Sequence, residues 1–348
     1  MKNAYLVLAD GTVFEGYSFG AEKDAVGETV FTVGGMCGYL ETVSDPAYFG
    51  QIVVQTFPLI GNYGSIDADL QGEISLSGYV VREVCHTPSN FRCEGSLGEL
   101  LKAKGVPAVC GVDTRALTVH LRENGCMNGK ICHSLPKSFE DIKEYKIVSA
   151  VESVTRKEKE IYNAEGEEYA KITAIDCGGR KSFIKALTKL GATVTVMPSG
   201  SDLNSIMSTN PDGIFITSGP DDPKNCSVLE TVKALMGKLP MLGVGLGHQL
   251  MALAAGGDTF KMKVGHRGGS QTVRDLKNGR CYITEQNHGY EVAAHSVKNG
   301  KITMVSLNDN GVEAIEYDSL NGVSVQFYPT LEDGSMVFES FISRIRGV

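Results

Sequence analysis

No apolar run in the 348 residues reaches the roughly 18 to 20 needed to cross a bilayer, which excludes a membrane-spanning helix by length alone. The N-terminus, MKNAYLVLADG, meets an Asp-Gly turn too early for a signal peptide, and a cytoplasmic protein is expected. The nine cysteines form no CxxC pair and no metal-ligand spacing. Scattered thiols of this kind in a reducing compartment are small buried hydrophobes, so no metal site is expected. No GxxxxGK occurs, which removes that route to ATP. Positive charge is also short: Lys+Arg 33 against Asp+Glu 41 gives a net charge of -8 and argues against a nucleic-acid or anionic-membrane partner.

What is present is the composition of an ordinary soluble globular protein long enough for two cores. Residues 1 to about 135 are β-rich: AYLVLADGTVFEGYSFG alternates around Asp10-Gly11, and further strands and two helices follow, at 96–105 and at 113–125 with Asp113 as cap and Gly125 as stop. Residues 136–169 turn charged and read as a solvated linker with room for one surface helix. From 170 to 348 strands and helices alternate, the rhythm of an open, mostly parallel, doubly wound α/β sheet that binds ligands at the carboxyl ends of its strands. The loops to watch are then Cys177 to Lys181, Ser218 to Pro223, Gly243 to Gln249, Gln286 to Tyr290 and Phe327 to Thr330.

A further absence lies in LPMLGVGLGHQLMALAAGG, Leu239 to Gly257. A short apolar strand, a glycine-rich bend and an apolar helix make the Gly-x-nucleophile-x-Gly elbow of α/β enzymes. Its apex is Gly245, which has no thiol, hydroxyl or carboxylate.

At these loops the chain resembles the small, glutamine-hydrolysing subunit of carbamoyl phosphate synthetase. The matching N-terminal segments are GMCGYLETVSDPAYFGQIV, PLIGNYG, SNFR and GVDTRALTVHLRENGCMNGKI. Those of the C-terminal half are NPDGIFITSGPDDP, GVGLGHQLMALAAGG, KMKVGHRGG and ITEQNHGYEV. The resemblance implies an N-terminal small-subunit domain over 1–135, docking on a large subunit, and a class I glutamine amidotransferase-like domain over 170–348. It implies a cysteine thiolate that attacks the glutamine side-chain amide, a histidine base and an orienting glutamate. The ammonia released passes to a large subunit that makes carbamoyl phosphate, so ATP and magnesium are expected only on that partner and no cofactor on this chain.

Aligned on the family's motifs, the nucleophile falls on Gly245, the base on Tyr328 and the orienter on Thr330, so no intact catalytic residue is expected. A carboxylate at Asp221 replaces a glycine of the loop that serves the oxyanion, where it would repel the developing charge. Ala47 stands where the family holds glutamine with a serine. Gly219, Leu246, Gln249, Asn287, Gly289 and Tyr290 match glutamine-contacting positions. They are expected to maintain the fold, with residual binding of L-glutamine or an analogue as the alternative, Asn287-His288-Gly289 forming a turn. His248, His266 and His288 are expected to be packed histidines.

The expected function is that of a homologue unable to hydrolyse glutamine that docks on and stabilises an ammonia-using large subunit as a heterodimer. Carbamoyl phosphate serves arginine or pyrimidine biosynthesis, between which the residues do not choose. A non-catalytic metabolite sensor using the vestigial pocket is the alternative, and new acid/base chemistry from Tyr328, Asp221 and His248 is a third reading.

Overall fold

A computed structural model describes residues 2–220, 222–329 and 332–347. The chain divides into two compact units, Met1–Val148 and Ser149–Val348.

The first unit is a barrel. Its strands are β1 (Asn3–Leu8), β2 (Val13–Ser18), β3 (Ala25–Thr32), β4 (Gln51–Gln55), β6 (Gly78–Val80), β8 (Ala108–Cys110) and β9 (Met127–Cys132), closed in the order β1-β2-β8-β6-β4-β3-β9. Two short strands, β5 (Leu59–Ile60) and β7 (Glu83–Val84), pair separately. Asp10-Gly11 makes the expected hairpin between β1 and β2, Gly11 donating its N–H to the Leu8 carbonyl. Closure leaves no edge strand in the barrel to pair elsewhere, and Leu6, Leu8, Val53 and Tyr79 are fully buried. The helix Leu97–Ala103 starts on a Ser96/Glu99 capping box, and Thr114–Asn124 starts on the Asp113 carboxylate and ends at Gly125.

The expected linker is largely structured. The helix Glu140–Glu144 buries Ile142 against Val7 and Cys132 of the barrel, so the first unit runs past residue 135. The helix Ala150–Val154 buries Val151 in the second unit, and β10 (Glu160–Tyr162) pairs with its sheet. Single apolar residues set among the charges are enough to anchor these short elements.

The second unit contains a ten-stranded sheet of the described residues, in the order β10-β12-β11-β13-β14-β19-β18-β17-β15-β16. Here β11 is Ala170–Asp176, β12 Ala192–Pro198, β13 Gly213–Ile216, β14 Met241–Val244, β15 Thr259–Asp275, β16 Cys281–Val292, β17 Lys301–Ser306, β18 Val312–Tyr317 and β19 Gly322–Val325. The central run from β12 to β19 is parallel, as crossover helices require, while β10 on one side and β18, β17, β15 and β16 on the other pair antiparallel. The mostly parallel sheet expected from the sequence is thus the core of a mixed one. Alternation distributes the parallel strands over two cores. Ile172, Ala174 and Phe215 join Phe183, Phe338 and Phe341 on one face, and Ile175, Ile214 and Ile216 join Val232, Leu246 and Leu250 on the other. No helix among the described residues is long and apolar enough to cross a membrane.

Candidate functional site

At the carboxyl end of β14 the chain turns directly into the helix Leu246–Ala254. Gly245 makes the turn with φ 59 and ψ -111, a backbone state in which an L side chain is strained. Its N–H donates to the Val325 carbonyl at 2.9 Å, which fixes the apex at the edge of β19.

The surroundings of the apex are crowded. A Cβ added to Gly245 would lie 3.0 Å from Ser218 Cβ and 3.6 Å from Tyr328 Cε1, so the structure brings Gly245, Ser218 and Tyr328 together. Tyr328 is 1% exposed and donates its backbone N–H to the Glu285 carbonyl at 2.8 Å. The Phe183 ring meets it edge-on at 5.4 Å, and the Arg180 guanidinium lies 4.4 Å from its centroid. Arg180, 4% exposed, pairs through Nη1 with Glu285 Oε1 at 2.7 Å. Just before Arg180, the Asp176 carboxylate accepts the N–H groups of Gly178 and Gly179 and so sets the loop from which it projects.

Sequence reasoning missed this Arg180, Tyr328 and Glu285 cluster. Arg180 falls in a loop marked as functional and Glu285 immediately precedes another, but no spacing connects them. The chemistry available at the apex is correspondingly limited. The Ser218 hydroxyl is buried with no hydrogen-bond partner among the described residues, and no thiol stands at the turn.

The residues matched to glutamine contacts divide by position. Gln249 is buried, and its Nε2 donates to the Tyr290 carbonyl at 2.7 Å and to Gln326 Oε1 at 2.9 Å, joining the helix to the sheet. Leu246 opens the helix and packs in a core. Gly219 is required by close approach, since a Cβ there would lie 2.0 Å from the Cys177 carbonyl oxygen. Asn287, Gly289 and Tyr290 lie within β16 rather than in a turn: β15 pairs with that stretch, Asn287 opposite Arg267 and Tyr290 opposite Lys261, with a register shift between the two pairs. Ala47 is in the first unit, buried on a 3₁₀ turn (Pro46–Tyr48) where its N–H meets the Asp45 carboxylate. Asp221 and Thr330 lie outside the described residues.

His248 is a packed histidine, as expected. It is fully buried in the helix after the apex, with Nδ1 2.8 Å from Ser324 Oγ. Burial lowers its pKa from 6.5 to about 3, so it is neutral and a weak base at pH 7. The unfolded chain binds a proton there below about pH 6.5 and the folded chain does not, so between about 6.5 and about 3 the unfolded state holds more protons. Stability contributed by His248 is therefore lost as pH falls through that window, by about 2 kcal/mol between pH 7 and pH 5. Urea unfolding of the wild type and His248→Asn at both pH values should show a smaller acid loss in the variant. Equal losses would mean that His248 is not buried neutral.

Residues 6–131 match the family model described as "Carbamoyl-phosphate synthase small chain, CPSase domain", and residues 173–343 match "Glutamine amidotransferase class-I". The chain is 43% identical over 346 residues to a carbamoyl phosphate synthase small chain of Caldanaerobacter subterraneus subsp. tengcongensis, covering 97% of this chain and 95% of that one. It is 43% identical over 349 residues to that of Clostridium perfringens, covering 97% and 98%. A third relative, the small chain of Bacillus cereus, is 40% identical over 349 residues, with 98% and 95% covered. The chain belongs to the carbamoyl phosphate synthase small-chain family.

Proposed function

We propose that this chain is a small-chain homologue that does not hydrolyse glutamine and that docks on and stabilises an ammonia-using large subunit. The observation that carries the reading is the apex itself: Gly245 offers no nucleophile, and the space beside it is taken by the ring of Tyr328. Glutamine hydrolysis in this family needs a thiolate to attack the amide carbon, a base to pass a proton to the leaving ammonia, and donors for the oxyanion. The position matched to the thiolate is Gly245 and that matched to the base is Tyr328, with Arg180 across its face. The guanidinium would disfavour any imidazolium formed there, so the pocket is organised against the triad as well as lacking it. Thr330 in place of the orienting glutamate and Asp221 in the oxyanion loop extend the same reading by sequence match.

The docking half rests on the first unit. Its match to the small-chain domain runs from 6 to 131, and within the matching segment SNFR the Phe91 ring is 97% exposed. A large apolar ring held in water has the chemistry of an interface anchor. ATP and magnesium then belong to the large subunit, which forms a heterodimer with this chain and draws on free ammonia.

The deciding experiment reconstitutes this chain with the large subunit of its own organism and measures carbamoyl phosphate formation with glutamine or ammonium as nitrogen donor. Activity with ammonium that rises on adding this chain, and none above background with glutamine, is the expected result. Glutamine-dependent synthesis would overturn the loss of hydrolysis. Failure of the two chains to associate would overturn the docking role.

A further inference from the structure

Three side chains on three different strands converge outside the elbow. His266 on β15 and His288 on β16 are register partners, with ring centroids 5.1 Å apart and nearly perpendicular planes. Glu313 lies on β18 and is 1% exposed. One nitrogen of each imidazole and a carboxylate oxygen of Glu313 all fall within 4.8 Å of one another.

The hydrogen bonds around this cluster have a direction. His266 Nε2 lies 2.9 Å from Asp309 Oδ2, and His288 Nδ1 donates to the Tyr290 carbonyl at 2.9 Å. Each ring therefore spends its outer nitrogen on a carboxylate or a carbonyl, the arrangement that fixes tautomer and ring angle in metal-binding histidines. Of the inner atoms, His288 Nε2 faces Gln286 Oε1 at 3.0 Å, and those of the other two residues are left over. His266 Nδ1 lies 3.8 Å from Glu313 Oε1, too far for a hydrogen bond, and among the described residues neither it nor Glu313 Oε2 has a hydrogen-bond partner. A separation of this size is spanned by two metal-ligand bonds of about 2.0 to 2.2 Å.

We propose that His266, His288 and Glu313 form a mononuclear site for a first-row divalent transition ion. Two imidazoles and one carboxylate are the donor set of open tetrahedral zinc sites, leaving a fourth position for water or for Gln286 Oε1, which is 3.0 Å from His288 Nε2. The ion would neutralise the buried carboxylate and tie β15, β16 and β18 into one body, clamping the strand whose Tyr290 carbonyl receives Gln249. Sequence spacing gives no hint of it, since the ligands come from three strands. The assignment revises the expectation that the chain has no metal site and that these histidines merely pack. It is independent of the loss of glutamine hydrolysis.

The test uses the full-length chain with any affinity tag removed, stripped with EDTA and titrated separately with zinc and cobalt ions. Elemental analysis should return one zinc per chain, and cobalt should give the visible absorption of a tetrahedral site. Glu313→Gln should weaken zinc binding at least 100-fold. Asp309→Asn, which changes a partly exposed residue and leaves all three ligands in place, should weaken it about 10- to 100-fold. Binding below one equivalent, or binding that neither substitution weakens, would overturn the site.

Discussion

Gly245→Cys alone is expected to leave glutamine hydrolysis undetected, whereas Gly245→Cys with Tyr328→His and Thr330→Glu is expected to raise it on the order of 10³-fold above the single variant. Groups of a catalytic triad act as a unit, so a nucleophile without its base recovers little of what the set provides. The backbone favours the attempt. Gly245 already holds a positive φ at a strand-to-helix turn, and a Cβ there needs Ser218 to give way by a few tenths of an ångström. The strain of a side chain in that state costs about 1 to 3 kcal/mol, which a folded domain of this size tolerates. What the single substitution cannot supply is proton transfer, because the nearest ring is Tyr328, and His248 is kept neutral by burial with its Nδ1 on Ser324. Thr330 lies outside the described residues, so its inclusion follows from the sequence match. Ammonia release under glutamine saturation, with trapping of a glutamyl thioester, separates the outcomes. Turnover by Gly245→Cys alone would show that Tyr328 does not block the site.

How much of this was legible in the sequence depends on the range of the interaction. Local chemistry was readable: the Asp10-Gly11 hairpin, the Asp113 cap with its Gly125 stop, and the strand-turn-helix around Gly245 all rest on residues within a few positions of each other. Strand direction at the sheet edge was less so, because period-two patterning is the same whether β15 to β18 pair parallel or antiparallel. The charged stretch after residue 135 was read from its charges, yet its placement was decided by Ile142 and Val151. Asn287-His288-Gly289 has turn-like composition, and the cross-strand bonds of β15 override it. Least visible were the contacts that define the site, Arg180 with Glu285 and Tyr328, since pairing between distant segments leaves no periodic trace.

That cluster carries the largest expected loss of stability. Glu285→Ala should destabilise the second unit by about 3 kcal/mol, because it removes the carboxylate from a guanidinium that is 4% exposed. Glu285 is itself partly exposed, at 24%, which places the value at the low end for a buried pair. Arg180→Ala adds a second loss, the stacking of the guanidinium on Tyr328, about 0.5 to 2 kcal/mol. Arg180→Met combined with Glu285→Leu should cost much less than either truncation, since both charges of the pair are removed together and the volume is kept. Denaturant unfolding of the wild type and the three variants compares these losses directly. The same double variant also bears on function. If the pocket beside Gly245 is filled rather than catalytic, ammonium-dependent synthesis by the reconstituted complex is unchanged when the ion pair is replaced by apolar side chains. A loss of that activity, with the two subunits still associated, would mean that Arg180 and Glu285 take part in the reaction, and the reading of an inert pocket would fail.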